Sequence, residues 1–216
     1  VLSSATVPVV LHWLGTAFDP ELAGYFGADD WQTASAVLLD IIAEQPDKVA
    51  GVKMSLLNAE SEISVREQLP QGVRMFTGDD FNYVGLIGGD TVGQGDGHSD
   101  ALLGAFAAIT PVASAAIQAL DAGAPARYLE ILGPTEDLSR QVFAAPTFYY
   151  KTGVAFLSWL NGHQPAFQMV GGLHSARSLP HLSRIVELAN ASLALEKPEL
   201  ARERWHGMLR LNGVDA

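Results

Sequence analysis

Val49-Ala-Gly-Val-Lys-Met-Ser55 (VAGVKMS) is the stretch on which the fold turns. Its apolar and β-branched residues predict a strand, and a strand this apolar belongs in a parallel sheet covered on both faces. Lys53 interrupts it, and a lysine inside a central strand cannot easily reach water. Upstream, Val7 to Trp13 (VPVVLHW) is an almost continuous apolar run, which predicts another strand buried on both faces, with His12 near its end. Downstream, Val73 to Thr77 (VRMFT) predicts a third strand and Asp100 to Ala105 a fourth. Helical patterns lie between them. Val37, Leu38, Ile41 and Ile42 recur at helical spacing before Pro46, and Asn58 can cap a helix that Pro70-Gln71-Gly72 ends. A short helix is expected after Asp79 and Asp80.

Strands alternating with helices predict a parallel sheet with helical crossovers. Four such units are too few for an eight-stranded barrel, which needs about 250 residues. An open sheet or the second half of a barrel is therefore expected. Four bare strands leave two edges, and the chain begins at Val1, so an N-terminally incomplete chain is a further expectation.

From Thr110 onward the pattern is helical, over about 111–122, 125–132, 135–143, 147–161, 176–191 and 197–210. The segment from Ala101 to Leu120 carries no charge and is long enough to span a bilayer. It is rich in Ala and Gly, Asp100 and Asp121 flank it, and Thr110-Pro111 divides it as an N-cap and first-turn proline would. A strand, a turn and a helix are predicted there instead of a membrane span.

With 216 residues, 48% hydrophobic and 17% charged, the chain can bury a core, and disorder is excluded as its main state. Thirteen basic and twenty-four acidic residues leave a net charge of −11. That argues against nucleic acid and anionic membranes as partners. The absence of cysteine excludes disulfides, thiolate nucleophiles and cysteine-held clusters, and it suits a reducing cytosol. A cytoplasmic location is the expectation.

Polar residues stand where each predicted strand ends: His12; Lys53 and Ser55; Thr77, Asp79 and Asp80; then Asp96, His98 and Asp100. Ligands in parallel α/β folds bind at the carboxyl ends of strands. Lys53 has two readings. It is an amine that attacks a carbonyl, or a lysine that reaches out of the strand end or pairs with an acid such as Asp79. His12 suits proton transfer, metal ligation or a hydrogen bond to backbone. The loop Gly88 to Asp100 (GGDTVGQGDGHSD) lacks a phosphate-binding lysine, and its aspartates would repel phosphate. It reads as a flexible active-site loop, or as a divalent-metal site built on Asp96, His98 and Asp100. The run Phe148-Tyr149-Tyr150 and the stripe of Val154, Phe156, Leu157 and Leu160 read as helix packing. His163, His174, His181 and His206 read as surface or capping residues.

VPVVLHWLG, GVKMS, VRMFTGDDFNY and ITPVASAA follow in that order, and FYYKTGVAFLSWLNGH comes later. Together they resemble the second half of the dihydrodipicolinate synthase and N-acetylneuraminate lyase superfamily. The likeness is closest to an uncharacterised bacterial dihydrodipicolinate synthase-like family. It implies a (β/α)₈ TIM barrel, of which residues 1–124 would supply strands five to eight and 125–216 a C-terminal helical extension. It implies that Lys53, in GVKMS, forms a Schiff base with a 2-oxo acid. His12 aligns with the superfamily's proton-relaying tyrosine, and Thr77, Gly78, Asp79 and Asp80 match its pocket-lining segment. The arginine that binds a substrate carboxylate in the synthases has no counterpart in GTAFDPE. The segment between His12 and Lys53 is also longer than usual.

The expected function is thus a class I, Schiff-base-forming lyase or aldolase without a cofactor, acting on a 2-oxo acid or keto sugar. Lys53 and His12 would be catalytic. Ser55, Thr77, Gly78, Asp79, Asp80, Asn82 and His98 would bind substrate, in a homo-oligomer (dimer or tetramer) as is common in the superfamily. Two other readings stand beside it. One is a metal-dependent barrel sugar isomerase or hydrolase with His12, Asp79, Asp96 and His98 as ligands. The other is a non-catalytic barrel that binds a ligand unchanged.

Overall fold

A computed structural model of the chain describes residues 2–215. It is a mixed α/β protein whose backbone divides into two compact units, Val1–Gly104 and Ala105–Ala216. The first holds all four strands assigned among the described residues: β1 (Val9–Leu14), β2 (Val49–Ser55), β3 (Arg74–Thr77) and β4 (Asp100–Ala101). They form one parallel sheet in the order β1-β2-β3-β4. Helices α1 (Trp31–Glu44), α2 (Ala59–Arg66) and α3 (Tyr83–Gly88) connect them. Right-handed crossovers between sequential parallel strands put successive helices on the same face.

That face carries the core. Ala34, Leu38 and Ile42 of α1 and Val65 of α2 pack with Trp13, Val52, Met54 and Met75 of the strands. Capping fixes where α1 and α2 start: Asp30 accepts from the Thr33 N–H at 2.7 Å and Asn58 from the Ser61 N–H at 3.0 Å. Several residues of the opposite face stay half-buried or exposed, among them Val10, His12, Lys53, Arg74 and Phe76. The expectation that the first strand is buried on both faces is therefore corrected: Val7 and Val10 are 65% and 44% exposed. The fourth strand is also shorter than expected. Leu102 N–H donates to Thr77 O, and a 3₁₀ turn at Gly104–Ala107 follows.

The second unit is helical: α4 (Thr110–Asp121), α5 (Pro125–Leu132), α6 (Thr135–Val142), α7 (Tyr150–Leu160), α8 (Leu179–Ala191) and α9 (Pro198–Leu211). The division after Gly104 places α4 with these helices, whereas the sequence grouped residues up to 124 with the strands. Thr110 lies inside the first turn of α4 instead of capping it, and its hydroxyl donates to Phe106 O at 2.8 Å. Tyr128, Phe143, Phe156, Leu157, Leu182 and Ile185 are buried. Gly153 of α7 admits close packing: a Cβ there would lie 3.0 Å from Val142 and 3.1 Å from Ile185. No helix among the described residues is long and apolar enough to cross a membrane.

Candidate functional site

Register brings the first candidates together. His12 of β1 lies opposite Lys53 of β2, and Leu14 opposite Ser55. The His12 Nε2 atom is 3.0 Å from Ser55 Oγ, one of the two carrying the proton. Lys53 is half-buried on the face without the core, not enclosed in the strand. It makes no hydrogen bond or ion pair among the described residues, so the expected alternative of a pair with Asp79 is not formed.

Gly78 completes the cluster. Its N–H donates to Met54 O at 2.7 Å, which laps the end of β3 against β2. A Cβ at this position would collide with Ser55 Oγ and come within 2.8 Å of both Lys53 Cε and Met54 O. Glycine is required here by close approach, and it lets the lysine stem and the serine hydroxyl lie over the backbone. Packing against the protein and, second, the positive charge of Lys53 lower the pKa of His12. The ring is accordingly held in its neutral, proton-accepting form at pH 7.

Thr77, Asp79, Asp80 and Asn82 form a neighbouring but different arrangement. Asp79 Oδ1 accepts from the backbone N–H groups of Phe81 and Asn82 at 2.8 and 3.0 Å, and Oδ2 accepts from Asn82 Nδ2 at 2.9 Å. Asp79 N–H donates to Thr77 Oγ1 at 3.2 Å. Asp79 therefore closes an Asx turn leading into α3. Asp79 and Asp80 are both buried.

Sequence reasoning passed over Glu62, on α2. It is 1% exposed, and neither carboxylate oxygen has a hydrogen-bond partner of good geometry. Burial pushes its carboxyl from the usual 4.5 up to about 7. The Ser99 and Thr77 hydroxyls oppose that shift, the charge of Asp79 adds to it, and Arg66 works against it. A signal was available: Asn58, Glu62, Val65 and Leu69 recur at three- and four-residue spacing, which places Glu62 on the core stripe of its helix. Arg66, one turn on, donates to Leu86 O, Ser99 Oγ and Gln94 O at 3.2–3.3 Å.

The glycine-rich loop does not join the lysine cluster. Asp96 and His98 are exposed. Asp100 is engaged by Arg74 in a two-pronged pair at 2.6 and 2.7 Å. Among the described residues no three His, Asp or Glu side chains converge on a point where one cation could bind. The alternative ligand set of His12, Asp79, Asp96 and His98 is thus not assembled. What is assembled is an amine, a neutral imidazole and a hydroxyl on one face, at the carboxyl ends of two parallel strands. A nucleophile beside a proton acceptor suits chemistry on an electrophilic carbon.

The class so defined is a parallel α/β protein with a polar cluster at its strand ends. Residues 1–214 match the model of one family, described as "Protein of unknown function (DUF993)", and the chain belongs to that family. None of the curated proteins matches the chain.

Proposed function

We propose that the first unit is the strand-five-to-eight half of a (β/α)₈ barrel and that the protein is a class I, Schiff-base-forming lyase or aldolase. Its substrate would be a 2-oxo acid or keto sugar. The sequential parallel order of the strands, with the helical core on one face, supports the barrel reading. The observation that carries the activity is the unpaired Lys53 amine beside a neutral histidine, over a glycine that leaves it room.

The Lys53 ammonium passes a proton to the neutral His12, and the freed amine attacks the substrate carbonyl carbon; His12 then returns the proton to the carbinolamine oxygen, which leaves as water and gives an iminium. The bond between the carbon next to the iminium carbon and the hydroxyl-bearing carbon beyond it then breaks. Its electron pair moves into the iminium and gives an enamine, while the other fragment departs as an aldehyde after losing its hydroxyl proton. His12 accepts that proton and returns it to the enamine carbon. Water then hydrolyses the iminium and frees Lys53. Ser55, bonded to His12, orients the ring.

Incubation with a panel of 2-oxo acids and keto sugars in the presence of borohydride tests this. The expected result is a ligand-sized mass adduct mapped to Lys53 and missing from Lys53→Ala. Folded protein that forms no adduct with any member of the panel, or a Lys53→Ala variant that still turns substrate over, would overturn the proposal.

A further inference from the structure

The second unit contains a cleft of about 750 Å³ that the lysine cluster does not explain. Trp159 of α7 and Phe167, in the segment after it, stack with centroids 5.9 Å apart and planes 22° from parallel. The His174 ring meets the edge of Phe167 at 6.1 Å. Met208 and Leu211 of α9 supply more apolar lining. Its size lies in the range of small-molecule sites, about 300–1,000 Å³.

Three features point to an occupant. Gly207 lies inside α9 with no positive φ, and apart from its chain neighbours and the adjoining helix backbone no atom lies within 4 Å of where its Cβ would be. Glycine inside a helix costs about 1 kcal/mol against alanine, yet neither backbone conformation nor packing requires it here. Its effect is to keep the cleft open. Next, His174 Nδ1 is shielded from water and has no partner, although the sequence placed His174 among surface or capping residues. Last, two arginines line the cleft without a carboxylate partner. Arg204 lies over the Trp159 ring at 5.5 Å and donates to Trp159 O and Gln164 O, which fixes its guanidinium in place. Arg210 is exposed. Uncompensated cations around an apolar cleft stand out in a chain of net charge −11.

We infer that this cleft binds an amphipathic carboxylate: an aromatic or aliphatic acid whose body lies against Trp159, Phe167 and Met208 and whose carboxylate meets the Arg204 and Arg210 guanidinium groups. A planar guanidinium pairs with a carboxylate through two parallel hydrogen bonds. The aromatic walls take an apolar body, and Met208 adapts to its shape.

Calorimetric titration of the chain with 2-naphthoate, and with neutral 2-naphthamide, tests the assignment. Saturable binding of one naphthoate is expected. Naphthamide should bind about tenfold more weakly or worse, as should naphthoate to Arg210→Gln, because each change removes a charge-assisted hydrogen bond. Gly207→Leu fills the cleft and should abolish binding, whereas Arg184→Gln, on α8 outside the cleft, should not alter it. Naphthoate-dependent shifts of the Met208 methyl resonance are expected in the unsubstituted chain and report the site without any variant. Absence of saturable binding, equal affinity for the amide, or unaltered binding to folded Gly207→Leu would overturn the inference. So would a dimer that Gly207→Leu dissociates, because a second copy would then occupy the cleft.

Discussion

The two faces of the β1–β4 sheet are built from the same short runs of sequence and have opposite characters. One presents Trp13, Val52, Met54 and Met75 to α1 and α2 and excludes water. The other carries His12, Lys53, Ser55 and Arg74, arranged as a polar cluster and an ion pair. Successive residues of a strand point to opposite faces, so Met54 and Lys53 are neighbours in sequence with separate duties. Buried apolar surface is concentrated on one face and polar side chains on the other. A strand can thus change its chemistry without losing its core, provided substitutions keep to one parity.

Substitutions on alternate residues test that separation most severely. Met54→Ala removes a fully buried side chain and should cost about 2–5 kcal/mol of unfolding free energy. Lys53→Ala should change stability by less than about 1 kcal/mol, since it breaks no bond among the described residues. Chemical denaturation of both variants measures the contrast. Equal losses would break the division between the faces.

Glu62 introduces a polar group on the buried side. Its carboxyl titrates at 4.5 when free and near 7 when folded. Below pH 4.5 both states are protonated. Between pH 4.5 and 7 the unfolded chain releases the proton first, so stability falls as pH rises, and the loss is complete above 7. The shift corresponds to about 3 kcal/mol. Glu62→Gln should flatten that decline and melt several degrees higher than the parent at pH 8. Melting curves between pH 4 and 8 that fall in parallel for the two proteins would show that Glu62 is not the source.

Gly78→Ala should cost about 1–3 kcal/mol of stability, from steric overlap. Its consequence for the cluster should be sharper. The new methyl would displace Ser55 and the Lys53 stem, so the His12 ring should titrate at a different pH by NMR than in the parent. An unchanged His12 titration would mean that Gly78 serves the backbone alone.

The strands were legible because their β-branched and apolar runs are dense. β2 falls on Val49–Ser55 as expected, and β3 begins one residue late at Arg74. Convergence of His12, Lys53 and Ser55 was legible from the polar residues at the strand ends. Which face stays open was not, because an apolar run such as VPVVLHW looks the same whether one or both faces are covered. Glu62 was hidden by its neighbours Glu60 and Glu67, which give its helix the look of a solvated one. Gly78 acts through a distance of approach, which composition does not encode. Asp96 and His98 alternated promisingly, but positive φ at Gly93, Gly95 and Gly97 bends the loop, and alternation means a shared face only in extended backbone.

The same bends have a use in protein engineering. Asp90 N–H donates to Gly97 O at 3.0 Å and Gln94 N–H to Gly89 O at 2.8 Å, so the loop is already closed at its base. Gly95 and Asp96 are exposed at its tip. A peptide tag or reporter spliced between them would leave the loop's base undisturbed. Loop-closure entropy rises by only about 0.6 kcal/mol for each doubling of length, which makes this bond the natural graft point beside the strand ends.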